Sequence, residues 1–127
     1  MKTVSLKLAK QLNEAGFTQD TEFEWYTSAY EEEDAWVTND PGEYATFGDD
    51  LIASAPFSEE ILDLLPWKLD FGDGIPKFLD ITKVEDGFEV GYISHKSHGF
   101  VDGFTSGKSL SEALAKMWLY LKKKGLI

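Results

Sequence analysis

The sequence predicts an α+β fold in a single domain, residues 1–127, with two or three helices packed on an antiparallel sheet. Apolar residues recur at helical spacing near both ends and in the middle of the chain, whereas elsewhere they alternate with polar residues. Helices with one apolar stripe and half-buried strands cover each other most simply as a helical layer on a sheet. A chain of 127 residues is long enough to form one such core.

The first and last predicted helices carry signals at both ends. They span residues 5–15 and 109–124, and each is followed by a glycine, Gly16 or Gly125, at the left-handed stop position. The last helix begins with the S-x-x-E spacing of a capping box and ends in three lysines, which the helix dipole favours. Its apolar stripe comprises Leu110, Ala113, Leu114, Met117, Trp118 and Leu121.

A shorter helix is predicted at residues 58–65. Ser58 is a good N-cap, and Glu59 and Glu60 suit the first turn because the N-terminal end of a helix favours negative charge. Pro66 ends this helix because proline lacks the backbone N–H that the next turn requires.

Two strands are predicted between the first and middle helices. Residues 21–27 alternate apolar and acidic side chains, and residues 35–38 form a short partner strand, with the acidic stretch between them as the turn. Residues 39–50 are rich in Gly, Asp and Pro and are predicted to form an acidic loop. A brief strand at residues 44–47 is an optional addition.

A hairpin is predicted in the second half of the chain. Residues 77–84 and 88–93 alternate around Asp86-Gly87, and such a dipeptide between alternating segments is a strong hairpin signal. A two-residue loop at that dipeptide places Ile81 opposite Tyr92.

A third strand of the second half is predicted at residues 100–105, directly before the last helix. The order of elements is then approximately α-β-β-(β)-α-β-β-β-α. Four aromatic residues fall at positions that favour burial in the core: Phe23, Trp25, Trp67 and Trp118.

Charge is distributed unevenly along the chain. The net charge is −11, and every one of the twelve basic residues is lysine. No base occurs from Gln11 to Trp67, where there are fifteen acids, whereas Lys68 to Ile127 has nine lysines and eight acids. A direct nucleic-acid partner is disfavoured, because such binding depends on neutralising phosphates. No apolar run approaches the ~20 residues of a membrane span, so we expect no membrane association.

The chain shows no catalytic or metal-binding motif. There are no cysteines, no P-loop and no nucleophile elbow, so we expect no enzyme activity, no cofactor and no metal. His95 and His98 lack an evident third ligand, and Asp70–Gly74 is typical of a turn. An enzyme using carboxylates that the sequence does not single out remains an alternative. The absence of cysteine and of an uninterrupted N-terminal apolar segment predicts a cytoplasmic protein.

Three segments resemble a group of small uncharacterised phage and prophage proteins. They are VSLKLAKQLNEAGF at residues 4–17, APFSEEILDLLP at 55–66 and SLSEALAKMWLYLKKKGLI at 109–127. The segments are helix-cap and core patterns, so the resemblance concerns the fold. It implies a phage or prophage gene expressed in a bacterial cytoplasm, with no activity and no functional residues to transfer.

The stretch YEEEDAWVTND, residues 30–40, is the strongest candidate for a binding surface. Its acids form a solvated turn on the simplest reading, but with the loop at residues 39–50 they form an acidic rim edged by aromatics. Such a rim suits a basic protein partner, and one version is a decoy that imitates the charge of DNA. A self-assembling module, in which the lysine-bearing half of another copy meets this rim, is the alternative. The candidate residues are Glu31, Glu32, Glu33, Asp34, Trp36, Tyr44, Asp49 and Asp50.

Overall fold

The computed structural model describes residues 3–17, 21, 23–27, 36–38, 50–54, 56–94 and 100–127, which form helices and antiparallel sheets. The predicted α+β class is confirmed. The contacts divide the chain into two compact units, Met1–Phe57 and Ser58–Ile127. The extent of the domain stays a prediction. In the described part of the chain, no helix has the length and apolar character needed to cross a bilayer.

The described residues of the first unit form one helix and a three-stranded sheet. In chain order its elements are α1 (Leu6–Glu14), β1 (Glu24–Thr27), β2 (Trp36–Thr38) and β3 (Asp50–Ser54). The sheet order is β2-β1-β3, with both neighbours antiparallel to β1. The predicted pairing of the first two strands is therefore confirmed. β3 was not predicted, and it begins at Asp50, the last residue of the predicted acidic loop.

Helix α1 has the ends that the sequence predicts. The Ser5 Oγ accepts a hydrogen bond from the Leu8 N–H at 3.3 Å, which satisfies one of the free donors of the first turn. Gly16 has φ of 93°, and the Phe17 N–H then donates to the Leu12 carbonyl at 2.9 Å. This is the Schellman arrangement, which a glycine adopts without strain.

The core of the first unit joins α1 to the chain around β1 and β3. The Val4 N–H donates to the Pro56 carbonyl at 3.0 Å, and the Trp25 Nε1–H donates to the Val4 carbonyl at 3.1 Å. Phe23 and Phe57 meet edge to face with ring centroids 6.4 Å apart. Its buried apolar residues are Val4, Leu8, Ala9, Leu12, Phe17 and Phe57.

The second unit contains two helices and a four-stranded sheet. In chain order its elements are α2 (Ser58–Leu62), β4 (Lys68–Asp70), β5 (Pro76–Val84), β6 (Gly87–Ile93), β7 (Phe100–Gly107) and α3 (Leu110–Lys123). The sheet order is β4-β5-β6-β7 and every pair is antiparallel. β4 was not predicted. α2 ends three residues before the predicted end, because the N–H groups of Leu64 and Leu65 bind the carbonyls three residues earlier.

Helix α3 packs against β6, β7 and α2. The Ser109 Oγ accepts from the Glu112 N–H at 3.3 Å, and the Leu126 N–H donates to the Leu121 carbonyl at 2.9 Å beyond Gly125. The Thr105 Oγ1 donates to the Ala113 carbonyl at 2.8 Å and ties β7 to the helix. The predicted burial of the large stripe residues is confirmed, namely Leu114, Met117, Trp118 and Leu121.

The predicted hairpin is confirmed, but its register is shifted by two residues. Val84 pairs with Gly87, so the turn is Glu85-Asp86, and Ile81 lies opposite Val90 instead of Tyr92. Gly87 has φ of 150°, as expected for a glycine at this bend. It also lies against β7, where a Cβ would overlap the Gly107 carbonyl oxygen. Gly87 therefore serves as the first residue of β6 and not as part of the turn.

The predicted burial of Trp67 is wrong. Trp67 is 71% exposed, and its ring lies 5.8 Å from that of Phe78 at an angle of 33°. It precedes β4, a three-residue strand at the edge of the sheet, and its carbonyl accepts from the Leu79 N–H at 3.0 Å. The backbone of Trp67 is thus fixed to β5 while most of the indole remains in solvent.

Candidate functional site

Most of the predicted acidic rim lies outside the described residues. Glu31, Glu32, Glu33, Asp34, Tyr44 and Asp49 belong to this group, as do His95 and His98. Trp36 and Asp50 are described as the first residues of β2 and β3. In the sequence, Glu31–Asp34 come shortly before Trp36 and Asp49 comes directly before Asp50. The positions of Trp36 and Asp50 therefore show where each acidic stretch joins the sheet.

Trp36 and Asp50 lie at the same end of the three-stranded sheet. Trp36 pairs with Tyr26, and Asp50 pairs with Thr27, the last residue of β1. Because β2 and β3 flank β1, the two residues are separated by two strand spacings, about 10 Å. We call this end, defined by Tyr26, Thr27, Trp36 and Asp50, the acidic end of the sheet.

A bulge in β3 determines which residue of that strand pairs with the last residue of β1. Trp25 pairs with Ala53 and Tyr26 with Leu51, so Ile52 is an extra residue in β3. An extra residue bends its strand and increases the local twist. The start of β3 is consequently offset by one residue relative to a regular ladder, and Asp50 reaches the end of β1.

Nearly all of the net charge belongs to the unit that contains the acidic end. Residues 1–57 have three lysines and twelve acids, a net charge of −9, whereas residues 58–127 have nine lysines and eleven acids, a net charge of −2. Glu31–Asp34 precede Trp36 by two to five positions, and Asp49 is adjacent to Asp50. The start of β2 is thus preceded by the densest acidic run of the chain, Glu31–Asp34, and the start of β3 is preceded by Asp49.

The chain was compared with known proteins. No protein-family model, curated protein or solved structure matches it.

The Asp70–Gly74 turn of the second unit is organised by its own carboxylates. The Asp70 Oδ1 accepts from the N–H groups of Gly72 at 2.8 Å and Gly74 at 3.1 Å. The Asp73 Oδ1 accepts from the Ile75 N–H at 3.0 Å. Both carboxylates accept hydrogen bonds from the backbone of the turn, as is typical of Asx turns. The expected turn is thus found, and both carboxylates are engaged in hydrogen bonds within it.

Lys77 is buried beside this turn, which the sequence analysis missed. It is 1% exposed, and its Nζ donates to the Asp73 carboxylate at 2.6 and 2.5 Å and to the Ile75 carbonyl at 3.1 Å. The ammonium also lies 5.7 Å from the centroid of the Phe71 ring. The hydrogen bond from Lys77, followed by that from the Ile75 N–H, lowers the pKa of Asp73. The i,i+4 spacing of Asp73 and Lys77 was the available sequence signal.

Tyr92 continues the same buried cluster. Its ring meets Phe71 edge to face at 5.7 Å, and its hydroxyl donates to the Pro66 carbonyl at 2.6 Å. Burial raises the pKa of Tyr92 to about 12, so the phenol stays protonated at neutral pH. Every buried polar side-chain atom of the described residues has a hydrogen-bond partner. The cluster therefore has the character of a satisfied structural network.

An open groove of about 460 Å³ lies where the β5–β6 turn, the end of β7 and the start of α3 meet. The Lys116 Nζ donates to the Ser106 carbonyl at 2.9 Å across it. Within the described part of the chain, no group of three or more His, Asp or Glu side chains could hold a metal ion. The groove is lined by charges of both signs, from Asp86, Glu89, Lys108, Glu112 and Lys116.

Proposed function

We propose that this chain is a non-catalytic binding protein that captures a basic protein partner through the acidic end of its three-stranded sheet. The observation that carries the proposal is the pairing of Trp36 and Asp50 with the last two residues of β1. This pairing brings together the start of β2, which follows the Glu31–Asp34 run, and the start of β3, which follows Asp49. It is supported by the net charge of −9 in residues 1–57.

Complementary charge is the physical basis of the proposed recognition. A surface of one sign accelerates the encounter with a partner of opposite sign and rejects like-charged partners. Aromatic residues beside the acids, Trp36 and Tyr44, would supply the anchors on which interfaces depend for most of their affinity. Because no lysine occurs between Gln11 and Trp67, the sequence around the acidic end provides no local cation to neutralise it.

The resemblance to phage and prophage proteins supplies the proposed setting. We place the protein in the cytoplasm of a bacterial host, as an accessory protein that acts by binding. In one version it imitates the charge of DNA and occupies a DNA-binding protein of the host or of a competitor. The acidic composition and the lack of arginine support a protein partner in preference to nucleic acid.

A charge-neutral variant tests the acidic end directly. Glu31, Glu32, Glu33 and Asp34 are replaced together by Gln, and binding to immobilised poly-L-lysine and to a bacterial lysate is measured from low to high salt. The matched control neutralises four acids of the second unit instead, Glu59, Asp63, Asp80 and Glu85. Both variants change the net charge by the same amount, so only the position of the charges differs.

We expect the first variant to lose most of its binding at low salt, where charges are least screened, and the control to retain it. Both should stay folded, since surface substitutions usually change stability by less than about 0.5 kcal/mol each. Equal binding by the two variants at low salt would overturn the proposal. Unfolding of the first variant, seen by circular dichroism, would show that the acidic stretch is not a solvated turn.

A further inference from the structure

The last turn of α3 carries a concentrated positive charge in an otherwise acidic protein. Lys122, Lys123 and Lys124 are consecutive and exposed, whereas Leu121 beside them is fully buried. We call these three residues the lysine end of α3. The backbone of these lysines is held in place, because buried Leu121 precedes them and the C-terminal turn at Gly125 follows them.

Aromatic rings lie beneath two of the three ammonium groups. The Lys122 Nζ is 5.8 Å from the centroid of the Trp118 ring, and the Lys124 Nζ is 5.7 Å from that of Tyr120. Rings at this distance attract a cation and limit the orientations of its side chain. None of the three lysines forms an ion pair with a carboxylate of the described residues. The lysine end thus presents cations that are positioned but not neutralised by the described part of the chain.

The lysine end is the densest positive segment of the chain. The helix dipole favours positive charge at this end of a helix. The lysine end has three lysines, a third of all those in residues 58–127. Its charge is complementary to the run Glu31–Asp34, which lies in the unit with net charge −9. The two runs are the densest acidic and the densest basic stretches of the sequence.

We propose that the lysine end of α3 is a docking surface for the Glu31–Asp34 run of a second copy of this chain. The inference rests on the proposed function, since it names a second copy as a basic partner of the acidic end. The contact joins two different surfaces, so copies would pair either reciprocally in a two-fold dimer or head to tail in rings or open chains. Exposed ion pairs are individually weak, so the association should be salt-sensitive and visible at high protein concentration.

Charge reversal with complementation tests this contact. One variant has Lys122, Lys123 and Lys124 replaced by Glu, and a second has Glu31, Glu32 and Glu33 replaced by Lys. A third, with Gln at the three lysines, guards against loss of the helix, since Glu disfavours a helix C-terminus. A control reverses three exposed lysines elsewhere, Lys68, Lys83 and Lys108. Sedimentation is measured at low and high salt, for each variant alone and for the two reversed variants mixed.

We expect the wild type and the control to associate at low salt. For the Gln variant and for each charge-reversed variant alone, we expect an association constant at least about tenfold below that of the wild type. The reason is the loss of several exposed ion pairs. Mixing the two reversed variants should restore a complex, because their charges are again complementary. A wild type that remains monomeric at low salt would overturn this inference, and so would a Gln variant that associates like the wild type.

Three further outcomes distinguish this inference from the proposed function and from nucleic-acid binding. A monomeric wild type that still binds poly-L-lysine through Glu31–Asp34 overturns the second copy as partner and leaves the proposed function intact. Loss of both activities overturns the two together. Retention of single-stranded DNA by the wild type but not by the Gln variant, with no self-association, would assign the lysine end to nucleic acid and overturn the proposal.

Discussion

Trp118 and Trp67 belong to the same compact unit and are the same residue type, yet one is 7% exposed and the other 71%. Trp118 is one of several apolar residues on a 14-residue helix whose two ends are fixed by Ser109 and Gly125. Trp67 stands alone between Pro66 and a three-residue edge strand. A tryptophan is buried where apolar residues recur along one face of a well-defined helix or strand. The hydrophobicity of a single residue does not predict its burial.

Replacing Trp118 by Ala should have the largest effect. We expect a loss of about 3–5 kcal/mol in the free energy of unfolding, from lost transfer energy and the cavity left in the core. Urea denaturation followed by circular dichroism measures it. A loss below about 1 kcal/mol would mean that the stripe is not in the core, since surface substitutions usually change stability by less than about 0.5 kcal/mol.

Two glycine substitutions in this unit distinguish the cost of a positive φ from the cost of a Cβ that overlaps a neighbouring strand. Gly87 and Gly72 both have positive φ, but only at Gly87 would a Cβ overlap the backbone of Gly107. Gly72→Ala should cost about 1 kcal/mol from φ alone, and Gly87→Ala roughly 2–4 kcal/mol because the overlap adds strain. Denaturant titration of the two variants side by side checks this. Equal costs would show that β6 and β7 separate easily at this point.

Asp73→Asn should have a smaller effect that depends on pH. Lys77 lowers the pKa of Asp73 below its ordinary value of 3.8, so the carboxylate contributes stability above pH 3.8 and loses it as the pH falls through its folded-state pKa. The Tm difference between wild type and Asp73→Asn should therefore be largest at neutral pH and narrow below pH 3.8. Because the Asp73 side chain is about half exposed, water reduces the effect.

The Lys77→Met variant provides the control for that experiment. It removes the buried ammonium, and replacing a buried charge by an apolar side chain of similar length is often neutral or stabilising. Adding Lys77→Met to Asp73→Asn should then recover much of the lost Tm at pH 7. If the double variant is no more stable than Asp73→Asn alone, the stranded ammonium is not the cause of the loss.

Trp67→Ala should have the smallest effect of the four. Most of the indole is in solvent, and the contact with Phe78 is its only described ring contact. We expect a loss of about 0.5 kcal/mol or less, in the range of surface substitutions. The same urea titration as for Trp118→Ala gives the comparison. A loss as large as that of Trp118→Ala would show that exposure does not distinguish the two sites.

The sequence predicted the elements whose ends are marked by specific residues. The ends of α1 and α3 were predicted because Ser5, Ser109, Gly16 and Gly125 each satisfy backbone groups of a particular turn. The hairpin register was missed because Gly87 has a positive φ and yet belongs to β6, so it resembles a turn residue. β4 was missed because three residues are too few to show an alternating pattern.

The burial of Lys77 and the common end of the three strands were not predicted, because both depend on contacts that the sequence pattern does not show. Lys77 sits in an alternating strand, where a lysine is expected to face solvent, and only its contacts with Asp73 and Ile75 explain its burial. The sequence identified the acidic stretches by composition, but the common end of β1, β2 and β3 depends on pairing between distant segments. Glu31–Asp34 stay a prediction, since they lie outside the described residues.

The order of strands in the second unit has a consequence for how the chain folds. Each strand from β4 to β7 pairs with its neighbour in the sequence, whereas β1 pairs with β3 across the intervening β2. Closing a short loop costs less conformational entropy than closing a long one, and local pairings form faster. We therefore expect folding to begin at the two-residue turn Glu85-Asp86. As the chain leaves the ribosome, however, the acidic first unit emerges before that starting point exists.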